Sequence, residues 1–224
     1  MLLLAGLAGA APRPSRVSSD VRNRLTNAED VFHQIMATPD KAIPQNLLDD
    51  ASCIVIIPGM KKGAFIFGGQ YGKGFISCRG TNGVGWTAPG AVTIEGGSFG
   101  LQLGGSETDA VLLLMNRGAE NKLLSDQFTL GASASVAAGP VGRTASAQTD
   151  AMLTAEILSY SRSRGVFAGV SLKGSTLRQD TDVDTELYGS GANNKQIVAG
   201  DASTPPVVQP FVQELDKYSP RKSS

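Results

Sequence analysis

One histidine, two cysteines and one tryptophan in 224 residues leave little from which to build reactive chemistry. Cys53, Cys78 and His33 cannot complete a four-ligand zinc site without help from carboxylates, so no structural metal is expected. A serine hydrolase needs a histidine beside its nucleophile. His33 sits off the middle of a helical apolar stripe, where a partly exposed surface side chain is expected, and no Gly-x-Ser-x-Gly elbow occurs. Charge of one sign is also lacking. Twenty Lys and Arg balance twenty Asp and Glu, so no overall field draws the chain to nucleic acid or to an anionic membrane, and any anion site must be a local patch. No apolar run is long enough to span a bilayer, Leu2–Ala10 being too short.

Nucleotide motifs fail on inspection. A phosphate loop needs a glycine, four residues, then Gly-Lys-Ser/Thr. Gly72-Lys73 would require glycine where Phe67 stands, and Gly74 follows the lysine without a hydroxyl. Glycines 96, 97 and 100 precede no helical pattern, which excludes the dinucleotide fingerprint. No nucleotide, cofactor or catalysis is expected.

What is present is a β-rich globular pattern. Hydrophobic residues make up 41% and charged ones 18%, the balance of a chain with a core. Residues 1–15 read as the remnant of a signal peptide, with Ala8-Gly9-Ala10 resembling a cleavage site, followed by a linker; the other reading is an apolar, disordered start. Residues 16–200 form the domain, and residues 201–224 a C-terminal helix or tail with Val208, Phe211, Val212 and Leu215 at helical spacing. Val17, Val21, Leu25, Ala28, Phe32 and Ile35 recur at steps of four and three, one face of a helix that Pro39 stops. Then the period changes. Cys53–Ile57 is apolar throughout, as in a strand buried on both faces, and Pro58-Gly59 reads as a turn bearing Lys61 and Lys62. Further strands follow around Gly63–Gly69 and Lys73–Arg79, Ala91–Gly105 with a bend at Gly96-Gly97, Asp109–Asn116, Thr129–Gly142, Asp150–Ser161 and Gly165–Gly174. One helix, Arg117–Phe128, interrupts them. The order predicts an α+β fold: a curved, mostly antiparallel β-sheet or partial barrel covered by N-terminal helices. Cys53 and Cys78 fall on neighbouring strands, either joined or standing as two buried thiols.

Candidate ligand contacts are basic. Lys61 and Lys62 follow Pro58-Gly59, Arg162 and Arg164 lie in the turn Ser161–Gly165, and Arg22 and Arg24 flank the first helix's apolar stripe. Asp180, Asp182, Asp184 and Glu186 alternate as in a calcium loop. Such a loop needs glycine at Thr185 and a carboxylate at Gly191, so a solvated loop or strand face is expected.

Several stretches, in this order, resemble the SYLF family, a lipid-binding domain also found in actin-regulating proteins of eukaryotic endocytic sites. They are DASCIVIIPGMKKGAFIFGGQYGKGF from Asp50, Trp86-Thr87-Ala88-Pro89, GGSFGLQLGGSETDAVLLLMN from Gly96, YSRSRGVFAGVSLKGS from Tyr160, and Asp184 with Leu187-Tyr188-Gly189. The resemblance implies phosphoinositide or acidic-phospholipid binding without catalysis. Its lipid contacts map to Val21, Leu25, Phe32, Arg22 and Arg24, with Lys61 and Lys62 nearby. With the signal-like start, the chain resembles a stand-alone bacterial member. That implies an anionic membrane lipid or an envelope protein as partner, and a periplasmic or secreted location, cytoplasmic if the apolar start is no signal. The actin role is not carried over. Two other readings compete: a structural or protein-interaction domain that docks its C-terminal apolar helix, and an enzyme using the acidic run.

Overall fold

Ser18 opens the first helix, its hydroxyl accepting from the Val21 amide at 3.3 Å, as an N-cap does. In the computed structural model, which describes residues 17–38, 42–63, 68–98, 106–124, 128–142, 154–163, 166–170 and 172–221, helix α1 spans Ser19–Met36. A short α2, Gln45–Asp50, follows. Strands β1 (Cys53–Gly63), β2 (Gly68–Cys78), β3 (Gly90–Ser98) and β4 (Ser106–Leu114) come next, then α3 (Arg117–Leu123). β5 (Phe128–Thr129), β6 (Val136–Ala138), β7 (Ile157–Ser163), β8 (Val166–Gly169) and β9 (Ser175–Gln179) complete the strands. Helices α4 (Thr181–Tyr188), α5 (Asn194–Val198) and α6 (Gln209–Tyr218) close the chain. The expected leader, Leu2–Ala10, lies outside the described residues.

The strands form one curled sheet in the order β5-β9-β3-β2-β1-β4-β7-β6, with β8 added to β7. Every described pairing between named strands is antiparallel except β6 with β7. The α+β class and the curved, mostly antiparallel sheet expected from the sequence are what the structure contains. Cys53–Ile57 is fully buried because both sheet faces are covered. Ile54 and Ile56 face a core with α1, α2 and α6, while Val55 and Ile57 face a second core shared with α3 and α5.

The α1 stripe is entirely spent on the first core: Val21, Leu25, Ala28, Val31, Phe32 and Ile35 are all buried. So is the inner face of α6, through Val208, Phe211 and Leu215. Phe211 meets Phe75 at 6.1 Å and Tyr218 meets Phe32 edge-on at 5.7 Å. The C-terminal helix thus docks within its own domain.

Pro58-Gly59 is a bulge rather than a turn. Ile56 pairs with Phe75 and Lys61 with Tyr71, so β1 carries one residue more than β2 across this stretch, and the same excess appears against β4. Gly59 takes φ +57°, proline has no amide for the ladder to lose, and β1 continues through to Gly63. Glycines of β2 serve close approach: a Cβ at Gly74 would stand 2.0 Å from the Ile56 carbonyl oxygen.

Candidate functional site: a cationic cleft between the first helix and the bulged ribbon

Bulges re-aim side chains and cluster near functional sites. Here a cleft of about 450 Å³ lies between α1 and the bulged β1–β2 ribbon. The helix contributes Asp20, Asn23, Arg24 and Asn27, β1 contributes Pro58, Gly59 and Lys61, and β2 contributes Tyr71, Gly72 and Lys73. The pleat explains the grouping. Past the bulge, Lys61 lies opposite Tyr71 on the strand pair, and Tyr71 and Lys73 are two residues apart. Tyr71 is 47% exposed, unusual for so large a side chain.

The cations are held by a carboxylate from far along the chain. Arg24 Nη1 and Lys73 Nζ each donate to the same oxygen, Asp180 Oδ2, at 3.0 Å. Asp180 is 8% exposed. Burial raises its pKa, but hydrogen bonds from Lys73 and Arg24 more than offset that and leave it below the usual carboxylate range. Asp180 immediately precedes α4. The acidic run is therefore helical, not the solvated loop or strand face expected. Asp180, Val183, Asp184 and Leu187 fall on the inner side, and Asp184 is fully buried, its Oδ1 accepting the Ala91 amide at 2.7 Å. Glu186 accepts from the Ser18 amide.

The expected contact residues divide. Arg24 and Lys61 meet in the cleft. Lys62 pairs through its backbone with Gln70 and Ser106 in β1, not in a turn. Arg22 is exposed and donates to the Val17 carbonyl at 2.6 Å, apart from the cleft lining. Phe32, at 1% exposure, is a core side chain, as are Val21 and Leu25; none presents a surface while α1 stays docked. Arg162 is tied to Asp109 Oδ2 at 2.7 Å and donates to Gln34 of α1. Asp109 Oδ1 in turn accepts the Gly59 amide at 2.9 Å, so Arg162 braces the bulge rather than offering a free charge. Arg164 lies outside the described residues. Sequence reasoning missed Lys73, Tyr71 and Asp180 as members of the site. The i, i+3, i+4, i+7 spacing of Asp180, Val183, Asp184 and Leu187 was the signal for an inward helix face.

The lining offers three cationic groups, amides, an aromatic ring and one carboxylate, a set chemically suited to an anionic group with hydroxyls.

A profile of the Ysc84 family, described as "Las17-binding protein actin regulator", matches residues 95–218. Among similar proteins, the SH3 domain-containing protein PJ696.02 of Schizosaccharomyces pombe is 35% identical over 211 residues, 92% of this chain and 48% of that protein. LAS seventeen-binding protein 3 of Saccharomyces cerevisiae is 36% identical over 180 residues, 79% of this chain and 39% of its own length. The human SH3 domain-containing YSC84-like protein 1 is 30% identical over 211 residues, 93% of this chain and 61% of its own. The chain spans about half the length of these curated relatives. They are named as binding or SH3-containing proteins rather than as enzymes, and all three are eukaryotic. With the SYLF-type motifs, the curled sheet and a family match over more than half its residues, the chain belongs to the Ysc84/SYLF family.

Proposed function

We propose that this domain is a non-catalytic module whose cleft takes the anionic headgroup of a membrane phospholipid, a phosphoinositide or another acidic lipid. The observation that carries the reading is the meeting of Arg24, Lys61 and Lys73 around a cleft beside the half-exposed Tyr71. A cation near an anionic surface contributes about 1 kcal/mol, reduced by salt. A tyrosine ring suits the headgroup level, where one edge meets apolar chains and the hydroxyl meets water. The apolar Leu2–Ala10 run supports a cell-envelope setting for such a membrane.

Lys61 tests the reading because it is exposed on a strand. Lys61→Glu removes one favourable charge and adds an unfavourable one, about 2 kcal/mol together, or roughly thirtyfold in affinity. Co-sedimentation with phosphatidylglycerol vesicles should show that loss, and high salt should weaken the wild type. Equal binding to neutral phosphatidylcholine vesicles, or an unaltered Lys61→Glu variant, sinks the headgroup reading. The family description supports a second one, a protein-interaction domain in actin regulation. A chain that ignores every vesicle yet retains a polypeptide partner through this surface favours it.

A further inference from the structure

Helix α4 brings two carboxylates to different tasks one turn apart. Asp180 grips Arg24 and Lys73, and Asp184 is buried against β3. Around Ala91 the polar groups are closely accounted for. Asp184 Oδ1 accepts the Ala91 amide, while the Ala91 carbonyl accepts from Asn194 Nδ2 at 3.0 Å and from the Asp180 amide at 2.9 Å. Two oxygens remain: Asp184 Oδ2 and Asn194 Oδ1 are buried with no hydrogen-bond partner among the described residues. Their residues are 0% and 1% exposed. An ionised Asp184 has only acceptors, so its Oδ2 would stay a buried charge with no donor among the described residues. A neutral acid turns that oxygen into a hydroxyl, which can donate and carries no charge to bury.

We propose that α4 is a proton-operated latch on the cleft. With Asp184 neutral the helix is seated on β3 and Asp180 occupies Arg24 and Lys73; ionisation of Asp184 favours the unseated helix, which releases both cations to an anionic headgroup.

The neighbours of Asp184 leave the proton as its means of neutralisation. Nearest in sequence stand Asp180, at the N-cap of the helix, which adds negative charge, and Tyr188 on the helix itself, whose hydroxyl donates to the Pro89 carbonyl at 2.6 Å. Asp182 and Glu186 lie away from the inner face. β3 presents the Ala91 backbone, and α5 presents neutral Asn194. Arg24 of α1 and Lys73 of β2 are engaged by Asp180. Burial is the main cause that pushes Asp184 up to about 7, with Asp180 adding to it and the Ala91 amide opposing. The sign follows. The seated helix keeps its proton to about pH 7, whereas a solvated Asp184 loses it near 3.8. Unseating therefore becomes easier by roughly tenfold per pH unit between those values and levels off above them.

The latch rests on the headgroup reading, and two measurements separate them. Hydrogen exchange at the α4 amides, wild type against Asp184→Asn at the same pH, reads the latch without lipid. Asparagine keeps the acceptor for Ala91 and supplies a permanent donor. The ratio should be near one at about pH 4 and reach about a hundredfold or more at pH 8. The second measurement is binding to phosphatidylglycerol vesicles, whose charge is constant over this range. Wild-type affinity should rise tenfold or more from pH 5 to pH 8. Asp184→Asn should stay at the low value, and Asp180→Asn at the high value, at both. An exchange ratio that does not change with pH overturns the latch, as does a pH rise in binding that survives Asp184→Asn. No vesicle binding at any pH, with the exchange ratio rising as described, overturns the headgroup reading and leaves the proton-operated seat of α4 standing.

Discussion

Arg79→Ala should lower the unfolding free energy by about 4 kcal/mol, measured by urea denaturation followed through Trp86, the chain's one tryptophan. Arg79 immediately follows β2, at a point where three segments converge, and is 8% exposed. Its Nε donates to the Ala51 carbonyl at 3.3 Å and its Nη2 to the Leu48 carbonyl at 3.0 Å, oxygens left over at the end of α2. Nη1 donates to the Ser219 carbonyl just past α6, and Nη2 also reaches the Ser219 hydroxyl. The guanidinium carbon lies 3.9 Å from the Trp86 ring centre, and the indole N–H donates to the same Ser219 carbonyl at 2.9 Å. Burial pulls the Arg79 pKa down to about 10, against the pull of Asp49 and Asp216, so the group stays charged at neutral pH. Alanine strands buried carbonyls, each costing about 1–3 kcal/mol unless water reaches it, and removes the ring contact, worth about 1 kcal/mol. Arg79→Lys should lose about half as much, because one ammonium cannot serve acceptors arranged around a planar fork. A loss below about 1 kcal/mol for alanine would mean that α2 and α6 are held by their apolar faces alone.

This clamp shows what was legible in the sequence and what was not. Elements whose period is set by burial could be read: the α1 stripe from Val21 to Ile35, the doubly buried Cys53–Ile57, the helix after Asn116. Each depends on one local repeat. Features made by two distant segments could not be read that way. Arg79 looks like any charged residue after a strand until Leu48, Ala51 and Ser219 are brought to it. Carboxylates at 180, 182, 184 and 186 fit an alternating face as well as a helix, and only the company of Val183 and Leu187 favours the helix. Pro58-Gly59 has the composition of a turn and becomes a bulge because the ladder resumes at Lys61. Lys61 and Arg24 were candidates by charge, whereas Lys73 was hidden among glycines whose purpose is close packing of β2 on β1.

Replacing both cysteines, Cys53→Ala with Cys78→Ala, should lower stability by about 3 kcal/mol, a fall in Tm of roughly 6–12 °C for a chain of this size. Cys53 and Cys78 are direct partners at the paired ends of β1 and β2, and they form a disulfide across 25 positions of chain. In the chain-entropy view, closing a loop of that length restricts the unfolded ensemble, and that restriction supplies most of the effect. Both residues are buried, at 0% and 1% exposure, so each lost sulfur also removes packing in the second core. The loop enclosed is the ribbon that carries Lys61, Tyr71 and Lys73. The ladder of β1 with β2 and β4 fixes that ribbon whether or not the bond is made. The double variant should therefore unfold at lower urea yet keep wild-type vesicle binding below its transition. A variant that loses binding while still folded would show the disulfide acting on the cleft itself. Unchanged stability would show that the hairpin already holds its ends together in the unfolded chain.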